Sequence, residues 1–169
     1  MKLSLWCPSP CPTVQGGYTD ARCQIRRSII PGAGWGLFAA STLPARTLVC
    51  TYSGEFLFTV PPSSSGRHVV YVPGRFGYVD GGPLKPRLLR GELRLNAVGS
   101  AFMANSLTTP NCRRLDLSWN SFCRRTGLGG VIPLPASSLH TVVALETICE
   151  VLADTELTWN YPCQSGVGM

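Results

Sequence analysis

Glycine and proline interrupt this chain so often that no long helix fits anywhere in it. Among 169 residues there are 18 Gly and 14 Pro. Both break helices, glycine through backbone entropy and proline through its missing N–H. The stretches between them are short and rich in β-branched and aromatic residues. This predicts short strands joined by many turns and excludes a helical bundle. Hydrophobic residues make up 44% of the chain and charged residues 14%, which excludes a disordered polyelectrolyte. A chain of this length buries roughly 70% of its unfolded surface, enough for one core. No apolar run approaches the roughly 18 residues of a membrane span, so no membrane partner is expected.

Thirteen Arg and two Lys, Lys2 and Lys85, outweigh nine Asp+Glu and give a net charge of +6. Arginine suits bidentate contacts to phosphate and carboxylate. The densest basic pieces are Arg26-Arg27, Arg113-Arg114 and Arg124-Arg125, with no run of four. Such a pattern is compatible with chromatin or nucleic-acid proximity but is not a basic tail.

Eight cysteines, an even number, invite a disulfide framework. Against it, the chain is large enough to fold without staples, Met1–Trp6 is too short for a secretory core, and no Asn-x-Ser/Thr sequon occurs. The cysteines therefore read as reduced, and the location as intracellular. Cys7, Cys11 and Cys23 supply three ligands of a zinc site, but no fourth lies nearby and His68 and His140 are remote. No metal site is assigned.

Residues 1–22 lack periodicity and read as an irregular arm, leaving 23–169 as the domain. A basic β-prone stretch runs from Cys23 to Ile30, followed by the turn Pro31-Gly32-Ala33-Gly34-Trp35-Gly36. Residues 47–60 read as one or two strands around Ser53-Gly54. His68–Val72 and Phe76–Val79 read as a hairpin around Pro73-Gly74. A short helix is expected within 84–95, limited by Pro86 and Gly91, and a compact mixed segment over 99–112. Strands are expected at Arg113–Trp119 and His140–Glu146, with a loop over 124–138 between them. Cys149–Ala153 is ambiguous, and Glu156–Tyr161 is a short β segment.

Taken singly, the glycine turn Gly34-Trp35-Gly36 is only a tight turn, and the six-residue dinucleotide fingerprint is missing. The order of motifs is more specific. The chain carries GAGWGLFAA over 32–40, CTYSGE over 50–55, GYVDG over 77–81, ANSLTTPNC over 104–112 and ELTWNY over 156–161. This series resembles the SET-domain protein lysine methyltransferases across roughly residues 24–163.

The resemblance implies a mainly β fold, a SET-type β-clip of several small curved sheets with a C-terminal pseudoknot and few short helices. Segments 103–112 and 156–163 would thread past each other to make the active site. The implied cofactor is S-adenosyl-L-methionine, held by the backbone of Gly34 and Trp35, the side chain of Asn105 and the backbone of Ser106. Glycine-rich backbone and an amide are the polar groups that a sulfonium-bearing zwitterion needs at close range. Tyr161 would be the catalytic tyrosine and Tyr52 a second phenol across the lysine channel, with Tyr71 and Trp159 lining it. The chemistry is an in-line displacement by a neutral lysine amine, driven by alignment and removal of water. Apolar walls lower the lysine pKa, and aromatic faces tolerate its cation. Trp159 stands where the family usually has Phe or Tyr, and its bulk predicts low methylation states.

The chain departs from the family pattern in several places. Ser106 replaces a histidine, Phe102-Met103-Ala104 replaces Arg-Phe-Ile, and Asn160 replaces an aspartate. The 148–157 turn is longer than usual, and no three-cysteine zinc segment follows Tyr161. The channel wall would then come from the residues after Tyr161, the N-terminal arm or a partner protein. Three readings follow. The first is an active methyltransferase acting on a histone tail or another basic protein, in the nucleus ahead of the cytoplasm. The second is a catalytically degenerate SET domain that binds protein or cofactor. The third is a nucleic-acid-associated module with a SET-like shell. For the first, the acidic residues Glu55, Asp80, Glu150, Asp154 and Glu156 are candidates for a groove that grips a basic tail.

Overall fold

The computed structural model describes residues 17–59, 68–73, 77–128 and 141–161. They form three small sheets with few short helices. Strands β1 (Cys23–Arg27) and β2 (Trp35–Ala39) make an antiparallel hairpin, in register from Cys23↔Ala39 to Arg27↔Trp35. The anticipated glycine turn connects them, with Gly32 and Gly34 in the left-handed region at φ 78° and 76°, a conformation that a Cβ disfavours. β2 is buried over Gly36–Ala39 because both its edges are paired.

The second sheet has the order β3 (Leu48–Thr51), β9 (Thr141–Thr147), β8 (Cys112–Ser118). The third has the order β4 (Glu55–Leu57), β6 (Gly77–Asp80), β5 (Val69–Val72). The stretch 47–60 is thus two strands in different sheets. The joint falls at Gly54, where a Cβ would strike the carbonyl of Asp80. β5 and β6 form the expected hairpin, with residues 74–76 of its turn outside the described residues.

Strand β7 (Asn105–Ser106) lies parallel to β10 (Glu156–Trp159), and β10 also pairs with β2, giving the sheet order β1-β2-β10-β7. The segment around 103–112 therefore meets the C-terminal strand, as the SET resemblance implies. Asn111 fastens the two: its Nδ2 donates to the Glu156 carbonyl at 2.8 Å and its Oδ1 accepts from Thr158 N–H at 2.9 Å. The core runs beneath this junction through Leu37, Val49, Phe102, Leu145, Leu157 and Trp159.

Helix α1 (Leu84–Leu89) buries Leu84 and Leu88, one turn apart, and tolerates Pro86 because the proline lies in its first turn. Helix α2 (Trp119–Thr126) differs from the sequence expectation of a strand reaching Trp119 and a loop from 124. Ser118 caps it, its Oγ accepting from Ser121 N–H at 3.3 Å, and Gly127 ends it at φ 70°. Trp119 and Phe122 anchor it against Leu48 and Ala144. Residues 17–22 of the assigned arm lie against the sheets: Thr19 bridges Cys50, and its Oγ1 donates to the Val98 carbonyl at 2.7 Å. Among the described residues no helix is long and apolar enough to cross a membrane.

Candidate active site

The loop from Ser28 to Gly34 closes on itself, Ser28 N–H donating to the Gly34 carbonyl at 3.0 Å. Beneath it lies the buried carboxylate of Glu156. Its Oε1 accepts from Asn105 Nδ2 at 2.6 Å and from Ser28 Oγ at 2.8 Å, and its Oε2 accepts from Ile29 N–H at 3.0 Å. Asn105 Nδ2 also reaches the Trp35 carbonyl at 3.2 Å and Ser28 Oγ at 3.3 Å. Gly36 makes this knot possible, since a Cβ there would collide with the Glu156 carboxylate and crowd Asn105. The Arg27 guanidinium lies 4.6 Å from the centre of the Trp35 ring, a stacking cation–π contact.

Two of the four expected cofactor groups, Trp35 and Asn105, are in direct contact. Trp35, directly after Gly34, begins β2, while Asn105 and Ser106 sit on β7 across β10, with Thr158↔Asn105 and Trp159↔Ser106 as parallel partners. Glu156 joins them; the sequence offers it as the first residue of the ELTWNY motif and as a candidate groove acid, and the structure buries it. Its partners Ser28 and Asn105 are 128 and 51 residues away in the chain, so no local pattern announces these contacts. The one available signal is the demand of a buried carboxylate for donors.

The other end of β10 enters an aromatic pocket. Trp159 is 1% exposed, and its ring lies 4.3 Å from that of Tyr161 and 6.5 Å from that of Tyr52, centre to centre. Phe102 stands edge-on to Tyr52 at 6.3 Å. Three polar atoms here are buried and lack a hydrogen-bond partner: Tyr52 Oη, Trp159 Nε1 and Tyr161 Oη. Burial pushes the Tyr52 hydroxyl well above its ordinary pKa, with the neighbouring Tyr161 and Asp80 adding to the effect. Burial also raises Tyr161, and Tyr52 and Trp159 partly offset it. The phenols thus sense each other, yet no pair of these atoms closes a hydrogen bond. Both phenols stay neutral at physiological pH. Each hydroxyl can donate or accept, whereas the indole N–H can only donate.

Tyr71 is not brought to this pocket by any ring contact. It lies on the outer strand β5, partly exposed, its ring 5.5 Å from Tyr78 and its carbonyl accepting from Arg114 at 2.6 Å. Ser106 is exposed. Of the cysteines weighed as zinc ligands, Cys7 and Cys11 lie outside the described residues. Cys23 is in the core, its thiol pushed up to about 12 by burial. The five suggested groove acids do not form one groove: Glu156 is buried in the knot and Asp154 pairs with Arg26.

No protein-family model and no curated protein matches the chain. Solved structures do. One is ctPRC2 in an autoinhibited conformation bound to S-adenosylmethionine, with a TM-score of 0.54 and 16% identity over 83% of this chain and 15% of that one. Another is a humanized mutant of the Chaetomium thermophilum Polycomb Repressive Complex 2 bound to the inhibitor GSK343, with a TM-score of 0.56 and 17% identity over 86% of this chain and 15% of that one. The chain thus spans about 15% of the length of the chains it matches. At these identities the likeness concerns architecture, and the architecture is a SET-like β fold.

Proposed function

We propose that the chain is an S-adenosyl-L-methionine-dependent protein-lysine methyltransferase of the SET family. The observation that carries this reading is the pocket of Tyr52, Trp159 and Tyr161, whose three buried polar atoms have no partner. A buried unpaired polar group costs about 1–3 kcal/mol. Three at one spot support a ligand that is itself a hydrogen-bonding amine in an apolar sleeve. The motif series and the SET-like fold support the family.

The knot beside the pocket fits the cofactor. The Asn105 amide nitrogen is tied to Glu156 and to the Trp35 carbonyl, while no described residue partners its Oδ1. That oxygen is an acceptor fixed in place for the cofactor's ammonium group. The Gly34 backbone has open space where a Cβ would stand, so a ligand can approach the chain there closely. When bound, S-adenosylmethionine supplies a methyl group on a sulfonium. Tyr52 and Tyr161 accept the amine's N–H groups and leave its lone pair free. The walls of Phe102, Trp159 and the tyrosines exclude water and lower the lysine pKa, which supplies the neutral amine. Trp159 fills space that added methyl groups need, so low methylation states are the expected products. A basic protein such as a histone tail is the substrate class, and the nucleus the expected location.

A second reading, a SET-like module that binds protein or cofactor without turnover, draws on the 2.6 Å contact by which Glu156 already occupies the Asn105 amide. Calorimetric titration with S-adenosylmethionine, followed by a methylation assay read by mass spectrometry, separates the two. The proposal expects saturable binding that Asn105→Ala abolishes, with mono- or dimethylated product lost in Tyr161→Phe. Binding without product from any lysine peptide favours the module. Efficient trimethylation would overturn the role given to Trp159.

A further inference from the structure

All nine Asp and Glu side chains of this chain lie among the described residues, so no carboxylate side chain is left over for a described arginine that pairs with none. Glu146, on β9, is 2% exposed and gathers two arginines. Arg113 faces it across the sheet from β8, and its Nε and Nη2 both donate to Glu146 Oε2, at 2.8 and 2.6 Å. Arg125 comes from the last turn of α2, and its Nη2 donates to Glu146 Oε1 and, at 3.2 Å, to the Arg46 carbonyl. Burial pushes the Glu146 carboxyl up, but the bonds from Arg125 and Arg113 outweigh it and hold the group below its ordinary pKa. It is therefore an anion at neutral pH, and it fixes two guanidiniums on one carboxylate.

Two more arginines stand here without an acid. Arg46 is joined to Arg125 through its carbonyl, and Arg124 precedes Arg125 in α2, its Nη2 3.5 Å from Ser121 Oγ. Neither forms an ion pair with an Asp or Glu of the chain. The one acid of β8, Asp116, alternates to the other face of the strand and pairs with Arg114. All four arginines are exposed, so four cations share one buried anion. The surface has no apolar centre: Trp119 and Phe122 of α2 are buried, and none of the exposed large hydrophobic residues lies on α2 or β8. Protein interfaces are built round an apolar or aromatic core, and single-stranded nucleic acid is held on exposed aromatic platforms. This surface offers neither, whereas the guanidinium fork matches phosphate.

We infer that Arg46, Arg113, Arg124 and Arg125 form a binding surface for the phosphate backbone of duplex DNA, without regard to base sequence. Arg46 and Arg124 bring charges that no carboxylate neutralises. Glu146 holds Arg113 and Arg125 in place beforehand, so less side-chain freedom is lost when phosphate arrives. Phosphate contacts fix a protein on a duplex and carry no sequence information. The inference stands apart from the lysine-transfer reading, because none of these arginines belongs to the aromatic pocket or to the Glu156 knot.

The test measures fluorescence anisotropy of a labelled mixed-sequence DNA duplex, its single strand and a glutamate-rich peptide, over a range of salt. The proteins are the wild-type chain, Arg46→Gln/Arg124→Gln and Arg90→Gln/Arg94→Gln. The first pair leaves the Glu146 bonds intact, since Arg46 contributes only its carbonyl to Arg125, and so keeps the fold. The second removes the same charge from an exposed segment elsewhere. Wild-type affinity for the duplex should fall about a hundredfold between about 50 and 200 mM salt, as three to four phosphate contacts require. In Arg46→Gln/Arg124→Gln two contacts are lost and that fall should shrink to about tenfold, while Arg90→Gln/Arg94→Gln should match the wild type. Equal weakening by both pairs would mean that net charge alone acts, and would overturn the surface. So would no binding of the duplex, tighter binding of the single strand, or binding of the glutamate-rich peptide in place of the duplex.

Discussion

The two ends of β10 are opposites. At its start, Glu156 is buried with every oxygen met by a donor, from Ser28, Ile29 or Asn105. At its end and just beyond, Trp159 and Tyr161 join Tyr52 in a pocket whose polar atoms sense one another but close no hydrogen bond. Both ends belong to one strand of four residues, Glu156–Trp159, and its immediate extension. A satisfied buried network fixes a geometry and contributes to stability, whereas an unsatisfied one lowers stability and persists where a ligand completes it. The knot is thus the rigid part, which holds Asn105 and the 28–34 loop still. On the proposed reading, the pocket is the part left for a ligand to complete.

The largest expected effect comes from breaking the knot. Glu156→Ala removes the acceptor shared by the Asn105 amide, the Ser28 hydroxyl and the Ile29 N–H, and should lower stability by about 3 kcal/mol. Urea denaturation should show it as an earlier midpoint at unchanged slope. Glu156→Gln keeps the oxygen facing Asn105 but turns an NH2 toward the Ile29 N–H, and should cost less. If both variants unfold like the wild type, the carboxylate is not the anchor inferred from its contacts.

This contrast also measures what the sequence disclosed. The strands around Ser53-Gly54 and the 68–79 hairpin were readable because alternating β-branched residues and turn glycines are local signals. Gly34, Trp35, Asn105, Tyr52 and Tyr161 stand in ordered motifs, which single them out in the sequence as expected site residues. Glu156 stands in the ELTWNY motif, but its burial in the knot is not legible there because its partners come from distant segments. Helix α2 was missed although its cap Ser118 and its terminating Gly127 are both in the sequence; its eight residues hold only two buried anchors, Trp119 and Phe122, too few for a helical period to stand out beside a strand. Tyr71, expected to line the channel, lies on the outer strand β5, a position that needs the sheet order and not the strand alone. The placing of Glu55 opposite Asp80 needed the register of β4 on β6, which no single strand encodes.

The pocket should respond with the opposite sign. Tyr52→Phe removes an unpartnered buried hydroxyl while keeping the ring against Phe102 and Trp159. Stability should rise by about 1 kcal/mol, and methylation should fall. Equilibrium denaturation beside a rate assay reads both. A loss of stability would mean that the hydroxyl has a structural partner, and the argument from orphaned atoms would lose its first member.

The smallest effect is a change in slope at alkaline pH. Burial raises Tyr52 and Tyr161 above the ordinary value of 10.0 and holds the Cys23 and Cys112 thiols up at about 12 against 9.0. In each case the folded state keeps its proton after the unfolded chain has lost it. The unfolded state therefore binds fewer protons above about pH 9, and stability falls as pH rises. It should be flat with respect to these groups at neutral pH, begin to drop near pH 9 as the unfolded thiols ionise, and steepen above pH 10 as the unfolded phenols follow. Tyr52→Phe should remove part of the steepening above pH 10 and leave the onset near pH 9 unchanged, because the thiols remain. A slope above pH 10 identical to the wild type would show that the Tyr52 hydroxyl reaches water, and the contrast between the sealed knot and the dry pocket would give way to one between a buried site and an open one.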